Sequence, residues 1–390
     1  MTGGVSRASS RYFTANRLRE WAWQGAFLAV IGAIIWFFAS NTAENLARRN
    51  VPFGLSVLWK QAGFDIPFKL VEWQTTYTYG HAVYVVLLNT LLVSAMAVVT
   101  ATILGVTLGI MGLSSNWLVR NAALSVGEVV KNTPQLVQIF FIYVAVLQAL
   151  PQLRQSIQLG GSALLNVRGL FLPAPILGES ATAIGWGFVA ALVAFIALRV
   201  MAGRAQTARA KSRLSWISWT PFLLVLLAGW LTGAIAGWDE PKLDRFNIRG
   251  GFSLKPELLA LWIGLSTYAA AFIADIVRAA ILGIHKGQVE AAMSLGLTRS
   301  QALRLVILPQ ARRLIIPPLT SQFLNITKSS SLGASIAYPE LVLMIGRTML
   351  NQTGQAIESM TIVLSVFLII NLITAFLMNW YNRAVALKER

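Results

Sequence analysis

Two sets of residues in this chain are of a type and spacing to do chemistry. The first is polar side chains inside apolar stretches: Asn132, Thr133, Gln135 and Gln138; Asp275 and Arg278; Asn325 and Lys328. Polar groups are costly in an apolar slab, so they face a cavity or hydrogen-bond a neighbouring helix. They are therefore candidates to line a path for a polar solute. The alternative for each is a hydrogen bond between helices that fixes packing. The second set is Glu290, Ala291, Ala292, Gly296 and Pro309, within a polar, helix-prone stretch bounded by apolar ones. Nothing from Lys286 to Leu295 breaks a helix. Gly296 allows a turn at positive φ, and an amphipathic stretch follows from Arg299 to Leu308. Pro309 marks its end. The expected result is a helix-turn-helix in which the two alanines offer a small, flat surface. Glu290 either meets a basic residue on a partner or caps the next helix.

Catalysis is not expected. The chain has no cysteine, which excludes disulfides and thiolate chemistry. Its two histidines, His81 and His285, lie far apart, so no metal site is expected. There is no Ser-His-Asp set, no credible carboxylate pair and no G-x-x-x-x-G-K-[ST] loop for a nucleotide. Gly185-Trp-Gly-Phe-Val-Ala190 fits a dinucleotide fingerprint but lies within an apolar stretch with no preceding strand, which points to helix packing.

These residues must be positioned by membrane-spanning helices. The chain of 390 residues is 56% hydrophobic and 12% charged, with mean hydropathy +0.64. Soluble domains carry about 25% charged residues. An all-α, polytopic membrane protein is expected. A span needs about 20 apolar residues, and eight stretches qualify: 21–39, 83–112, 133–150, 183–201, 217–236, 258–282, 313–336 and 360–380. The net charge of +17 is read as topological, not as a nucleic-acid signal. Arg7, Arg120, Lys131, Arg204, Arg213, Lys286, Arg304 and Lys388 fall on one side, with Asp65, Glu72, Asp239 and Glu340 opposite. The basic side is cytoplasmic, which places both termini and the Glu290 segment inside. The first span reads as a retained anchor, and residues 1–10 as disordered. The outer loops 40–82, 151–182 and 237–257 are either headgroup-anchored connections or a small cap. Gly105-Val-Thr-Leu-Gly109 predicts close helix contact, within the chain or with another subunit.

The spacing from Glu290-Ala-Ala through Gly296 to Val306-Ile-Leu-Pro309 resembles the EAA loop of ABC-importer permeases; Val306 stands where Ile is usual. Leu88-Asn-Thr-Leu-Leu-Val-Ser94, Lys131-Asn-Thr-Pro-Gln-Leu-Val-Gln138, Ile273-Ala-Asp-Ile-Val-Arg278 and Pro317-Pro318 through Lys328 extend the likeness to polar-amino-acid uptake permeases. Gln61-Ala-Gly-Phe-Asp-Ile66 and Arg168-Gly-Leu-Phe-Leu-Pro-Ala-Pro175 resemble the larger permease of the general L-amino-acid and glutamate/glutamine/aspartate/asparagine systems.

The resemblance implies a five-helix type I importer core in two parts, 83–154 and 258–390, the latter including the coupling loop 285–310. Before it stand a cytoplasmic segment 1–20, the anchor 21–39 and the periplasmic loop 40–82. Residues 155–257 are an insertion with two extra spans. It implies a bacterial inner-membrane subunit that binds no cofactor, pairs with a second permease and rests on two ATPases that hold ATP and Mg. A periplasmic amino-acid-binding protein delivers the solute, and membrane lipid surrounds the whole. A zwitterionic amino acid needs a cation for its carboxylate and an acceptor for its ammonium. Lys328 suits the first role. Asp275 suits the second, or pairs with Arg278. The rival expectations are an ion-coupled secondary transporter, which leaves the EAA spacing unexplained, and a membrane amino-acid sensor.

Overall fold

The computed structural model describes residues 8–48, 54–204, 208–244 and 247–385. Arg7, Lys388 and most of the stretch expected to be disordered lie outside them.

The chain is mostly helical. Helix α1 (Ala8–Arg48) is long, and none of its most apolar stretch is buried. Helix α2 (Tyr79–Met111) starts where the Thr78 hydroxyl accepts a bond from the His81 amide at 3.3 Å. Asn116 caps α3 (Trp117–Asn132) by accepting from the Leu118 and Val119 amides. Pro134 then forces Thr133 into extended backbone (φ −96°, ψ 127°), which stops α3. Helix α4 (Gln135–Phe140) restarts beyond it and continues as π-helix to Leu147, at 102° to α3. The expected span 133–150 is thus the second arm of a bent pair.

Helices α5 (Ala181–Arg204), α6 (Ala208–Ile217) and α7 (Thr220–Leu231) form a separate group in which α5 packs on α6 and α7. Helix α8 (Pro256–Leu282) follows, then α9 (Lys286–Ser294), α10 (Arg299–Ala302), α11 (Leu308–Ser329), α12 (Leu350–Thr353) and α13 (Ala356–Val385).

Among the described residues five helices are long and apolar enough to cross a membrane: Arg19–Asn45, Tyr79–Met111, Thr182–Arg199, Pro256–Leu282 and Ala356–Arg383. The bent pair makes a sixth if it counts as one span. Two of the eight expected spans differ. The apolar run 217–236 supplies only the twelve residues of α7 before Gly233 turns at φ +61°. At 1.5 Å per residue that is about 18 Å, short of the roughly 30 Å of hydrocarbon. The run 313–336 is helical but polar: α11 holds Arg312, Arg313, Asn325 and Lys328, and ends in a 3-10 turn to Ile336.

The all-α expectation needs correction, because two loops fold into short antiparallel strands. β1 (Ile157–Leu159), β2 (Ala163–Asn166), β3 (Gly169–Leu172) and β8 (Phe252–Leu254) make one sheet in the order β1-β2-β3-β8. β4 (Ala174–Leu177) pairs with β5 (Ile235–Asp239), and β6 (Lys242–Asp244) with β7 (Asn247–Arg249). Glycine turns make these reversals possible. Gly160 and Gly161 (φ +61° and +87°) close β1 on β2, and Gly250 and Gly251 (φ +79° and +71°) carry the chain from β7 in one sheet to β8 in another. The second outer loop is therefore ordered rather than a simple connection.

The core centres on α2 against α8. Gly105 and Gly109 face α8 directly: a Cβ on Gly105 would lie 2.6 Å from Ile273 Cβ, and one on Gly109 2.8 Å from the Ala274 carbonyl. The small-residue pair therefore serves contact within this chain.

The Leu88-Asn-Thr motif ties α2 to the connection between α11 and α13. Asn89 Nδ2 donates to the carbonyls of Phe68 (2.8 Å) and Pro339 (2.9 Å), and Thr90 Oγ1 accepts from the Leu341 amide at 3.3 Å. The Tyr338 hydroxyl returns a bond to the Asn89 carbonyl at 2.9 Å. Glu340 is fully buried beside it and caps the next helical turn, accepting from the amides of Val342 (2.8 Å) and Leu343 (2.7 Å). Burial pushes its carboxyl up to about 8, and the two amides only partly offset this.

Between the ordinary value near 4.5 and about 8, the folded chain therefore keeps a proton that the unfolded chain releases. Stability contributed by this group is present at lower pH and is lost as pH rises through that window. The thermal midpoint of purified protein is expected to fall as pH rises from about 5 to about 8, and Glu340→Gln is expected to flatten that slope. An unchanged slope in the variant would assign the pH dependence to other groups.

Candidate functional site

The segment 285–310 is built by local capping. His285 Nδ1 accepts from the Gly287 amide at 3.2 Å and starts α9. At its end the Gly296 amide donates to the Met293 carbonyl (2.9 Å) and the Leu297 amide to the Ala292 carbonyl (3.2 Å). This pair of bonds is a Schellman motif, and it requires the left-handed residue that Gly296 supplies at φ +79°. No atom lies within 4 Å of a Cβ built at Gly296, so the demand for glycine there is conformational rather than steric. Thr298 and Gln301 then form a reciprocal capping box. Thr298 Oγ1 accepts from the Gln301 amide (3.3 Å) and Gln301 Oε1 from the Thr298 amide (2.8 Å). The Thr-x-x-Gln spacing is a local signal that marks the start of α10 in the sequence.

Three features differ from expectation. The alanines do not share a face. Successive helical residues are about 100° apart; Ala291 is exposed, whereas Ala292 is 3% exposed and packed inward. The outward surface is instead Glu290, Ala291, Met293 and Leu295, the last 83% exposed. Glu290 does not cap the next helix, since Thr298 does so. Nor does Pro309 end a helix. Leu303–Ile307 is a π-turn in which the Leu308 amide reaches back to the Leu303 carbonyl, and Pro309 stands in the first turn of α11. A proline needs no amide donor there, and the wider turn accommodates its ring. The backbone thus stays helical from Arg299 to Ser329.

The polar path residues divide. Gln135 and Asn325 come together in a cleft of about 130 Å³ with Tyr268, Phe272, Gln322 and Ser329. Tyr268 and Phe272 hold their ring centroids 5.0 Å apart. Gln322 and Ser329 were not expected, yet 322, 325, 326 and 329 follow the i, i+3, i+4, i+7 spacing of one helical face. Tyr268 and Phe272 are likewise four apart on α8.

The other candidates are elsewhere. Gln138 donates to the carbonyls of Val130 (2.7 Å) and Thr133 (3.0 Å), satisfying groups left open by the bend at Pro134. The Thr133 hydroxyl donates to the Val129 carbonyl at 2.9 Å. Asn132 and Lys328 are exposed and do not line the cleft. Asp275 does not pair with Arg278. Its carboxylate meets Lys131 on α3 at 2.6 Å, and Lys131 also meets Glu128 at 2.9 Å. Arg278 lines a narrow crevice beside Asp275, with its Nε buried and unpaired.

The Lys131–Asp275 pair joins the bent helix to α8. Asp275 is half exposed, so solvent screens the attraction. A double-mutant cycle with Lys131→Met and Asp275→Asn, read by thermal unfolding, is expected to give a coupling of only about 0.5–1 kcal/mol. Additive single effects would show that the pair does not hold these helices together.

Long apolar helices, a mainly apolar cleft that presents three amide side chains, and an exposed, capped loop are the parts of a membrane protein. Residues 101–387 match the family model of the binding-protein-dependent transport system inner membrane component, and the chain belongs to that family. It is 46% identical over 97% of both chains to the putative amino-acid ABC transporter permease protein YhdX of Escherichia coli (strain K12). It is 43% identical to the general L-amino acid transport system permease protein AapQ of Rhizobium johnstonii, over 93% of this chain and 91% of that one. It is 36% identical to the glutamate/glutamine/aspartate/asparagine transport system permease protein BztB of Rhodobacter capsulatus, over 93% and 92%. The resemblance read from the EAA segment holds, and the chain is a multi-pass transport component.

Proposed function

We propose that this chain is a permease subunit of an ATP-driven, binding-protein-dependent importer of polar L-amino acids in a bacterial inner membrane. The observation that carries the proposal is the loop 285–310. Its caps fix two short helices at a set angle, and it holds Glu290, Ala291, Met293 and Leu295 outward. An exposed leucine and methionine beside a carboxylate suit a protein surface. In this reading the surface docks on one of two ATPase copies, which hold ATP and Mg. A second permease completes a pseudo-twofold pore, and a periplasmic binding protein delivers the solute. The names of the relatives support amino acids as cargo.

The basic residues Arg120, Arg213, Lys286 and Arg304 support an orientation in which the short α7 and the polar α11 also cross, so that both termini and this loop lie in the cytoplasm. Gln135, Gln322 and Asn325 are amides able to donate to and accept from a polar solute within the cleft.

The test is purification of the tagged chain from its native membrane in mild detergent, with partners identified by mass spectrometry. Recovery of an ATPase and a shorter permease, with vanadate-sensitive uptake that survives an uncoupler, is the expected result. Recovery of the chain alone, with uptake abolished by the uncoupler, would assign an ion-coupled transporter instead.

A further inference from the structure

The turn between α5 and α7 carries charge of one sign. From Ser180 to Trp238 the sequence has no acidic residue, whereas Arg199, Arg204, Arg209, Lys211 and Arg213 follow one another within the stretch 199–213. Aromatic rings are interleaved with them. The guanidinium of Arg199 lies 5.0 Å from the Phe195 ring centroid and 6.0 Å from that of Trp219. Phe222 completes the cluster, 5.8 Å from Phe195. Trp216 is 77% exposed.

The surroundings of the turn follow from packing. Helix α5 makes its extensive contacts with α6 and α7, and almost none of its apolar length is buried. So little buried apolar area suits a surround of acyl chains, which would leave the end of the hairpin among headgroups. Helix α7, about 18 Å long, is shorter than the hydrocarbon slab, which draws the basic end and its tryptophans into the interface.

We propose that α6, with Arg199 and Trp219 beside it, is a binding site for the headgroups of anionic phospholipids in the inner leaflet. The basic side chains supply cations for the phosphate. Trp216 and Trp219 sit at the depth of the glycerol and carbonyl groups, where indoles concentrate. A soluble anion would use the cations alone and leave the exposed indoles without a role. An acidic protein surface would have to approach a hairpin set apart from the helices of the core. The proposal rests on the cytoplasmic orientation given above but not on the cargo or its direction.

The test uses the full chain in its native complex, reconstituted into nanodiscs of mixed phosphatidylcholine and phosphatidylglycerol. Lipids retained on transfer to detergent are measured by mass spectrometry. Wild type is expected to retain phosphatidylglycerol over phosphatidylcholine. R209A/K211A/R213A is expected to lose that preference by about fivefold for each charge removed. R209K/K211R/R213K keeps the charge and is expected to keep the lipid.

Equal retention by wild type and the alanine variant would overturn the proposal. So would displacement of the lipid signal by inorganic phosphate, which would mean a soluble-anion site. Loss of the ATPase from the alanine variant with its lipid unchanged would make the turn a protein contact instead. Because the chain has no cysteine, Ala210→Cys reports the side of the turn. Labelling only from the outer face would overturn the inner-leaflet assignment, whatever the lipid result.

Discussion

A Glu290→Lys chain is expected to reach the membrane at normal abundance and to support almost no uptake. Glu290 is exposed on α9, beside Ala291 and the bare side chains of Met293 and Leu295. It makes no bond that holds the fold, so reversing its charge leaves the chain intact. At a docked interface, losing one partner of a desolvated charge pair costs about 2–5 kcal/mol, on the order of 30-fold or more. Reversal adds repulsion. Gly296→Val is expected to act the same way by a different route. A β-branched residue at φ +79° is strained, so the Schellman turn opens and α9 changes its angle to α10. Uptake in cells, normalised to the amount of chain in the membrane, checks both. Normal uptake by Glu290→Lys would remove the coupling assignment.

Gly105→Leu is expected to prevent stable folding. A Cβ there would lie 2.6 Å from both Cβ and Cγ2 of Ile273 and 2.8 Å from the Ala270 carbonyl. Backbone cannot yield as a flexible side-chain tip does, so α2 and α8 must part along the largest contact of the core. Overpacking costs about 1–3 kcal/mol where neighbours can shift, and more here because three further carbons follow the Cβ. Against a total stability of about 5–15 kcal/mol this is a large share. Gly185→Ala provides the control, since nothing lies within 4 Å of its Cβ on α5. Thermal stability measured by fluorescence-detected size exclusion is expected to collapse for Gly105→Leu and to hold for Gly185→Ala. Comparable melting of the two would show that α2 and α8 can separate at little cost.

What could be read in advance was set by local or periodic signals. Long apolar runs announce α2, α8 and α13, and Gly296 announces its turn because few other residues accept its φ. The Gly105–Gly109 pair announces a close contact but not its partner, since α2 and α8 are over 150 residues apart in sequence. The strands escaped for a different reason. At three to five residues each they are too short for alternation to register, and paired glycines define them more than side chains do. Asp275 meets Lys131 rather than Arg278 because α3 packs on α8, a contact between positions 144 apart that no local spacing announces. Ala291 and Ala292 read as one surface in a linear string, but a helix turns one out and the other in.

The unbroken helix from Arg299 to Ser329 has a mechanical consequence. Its first residues lie in the loop with Glu290, and its last carry Gln322, Asn325 and Ser329 into the cleft. The Leu308–Ser329 segment alone is about 33 Å long. It is a lever, and Pro317 and Pro318 stand near its midpoint, where two lost amide donors soften it. A tilt of about 5° applied at the loop displaces the far end by about 3 Å over that length. That is enough to open or close a cleft lined by a few side chains. On the proposed coupling role, a stroke would reach the cleft along this helix only while the segment at Pro317 and Pro318 stays straight.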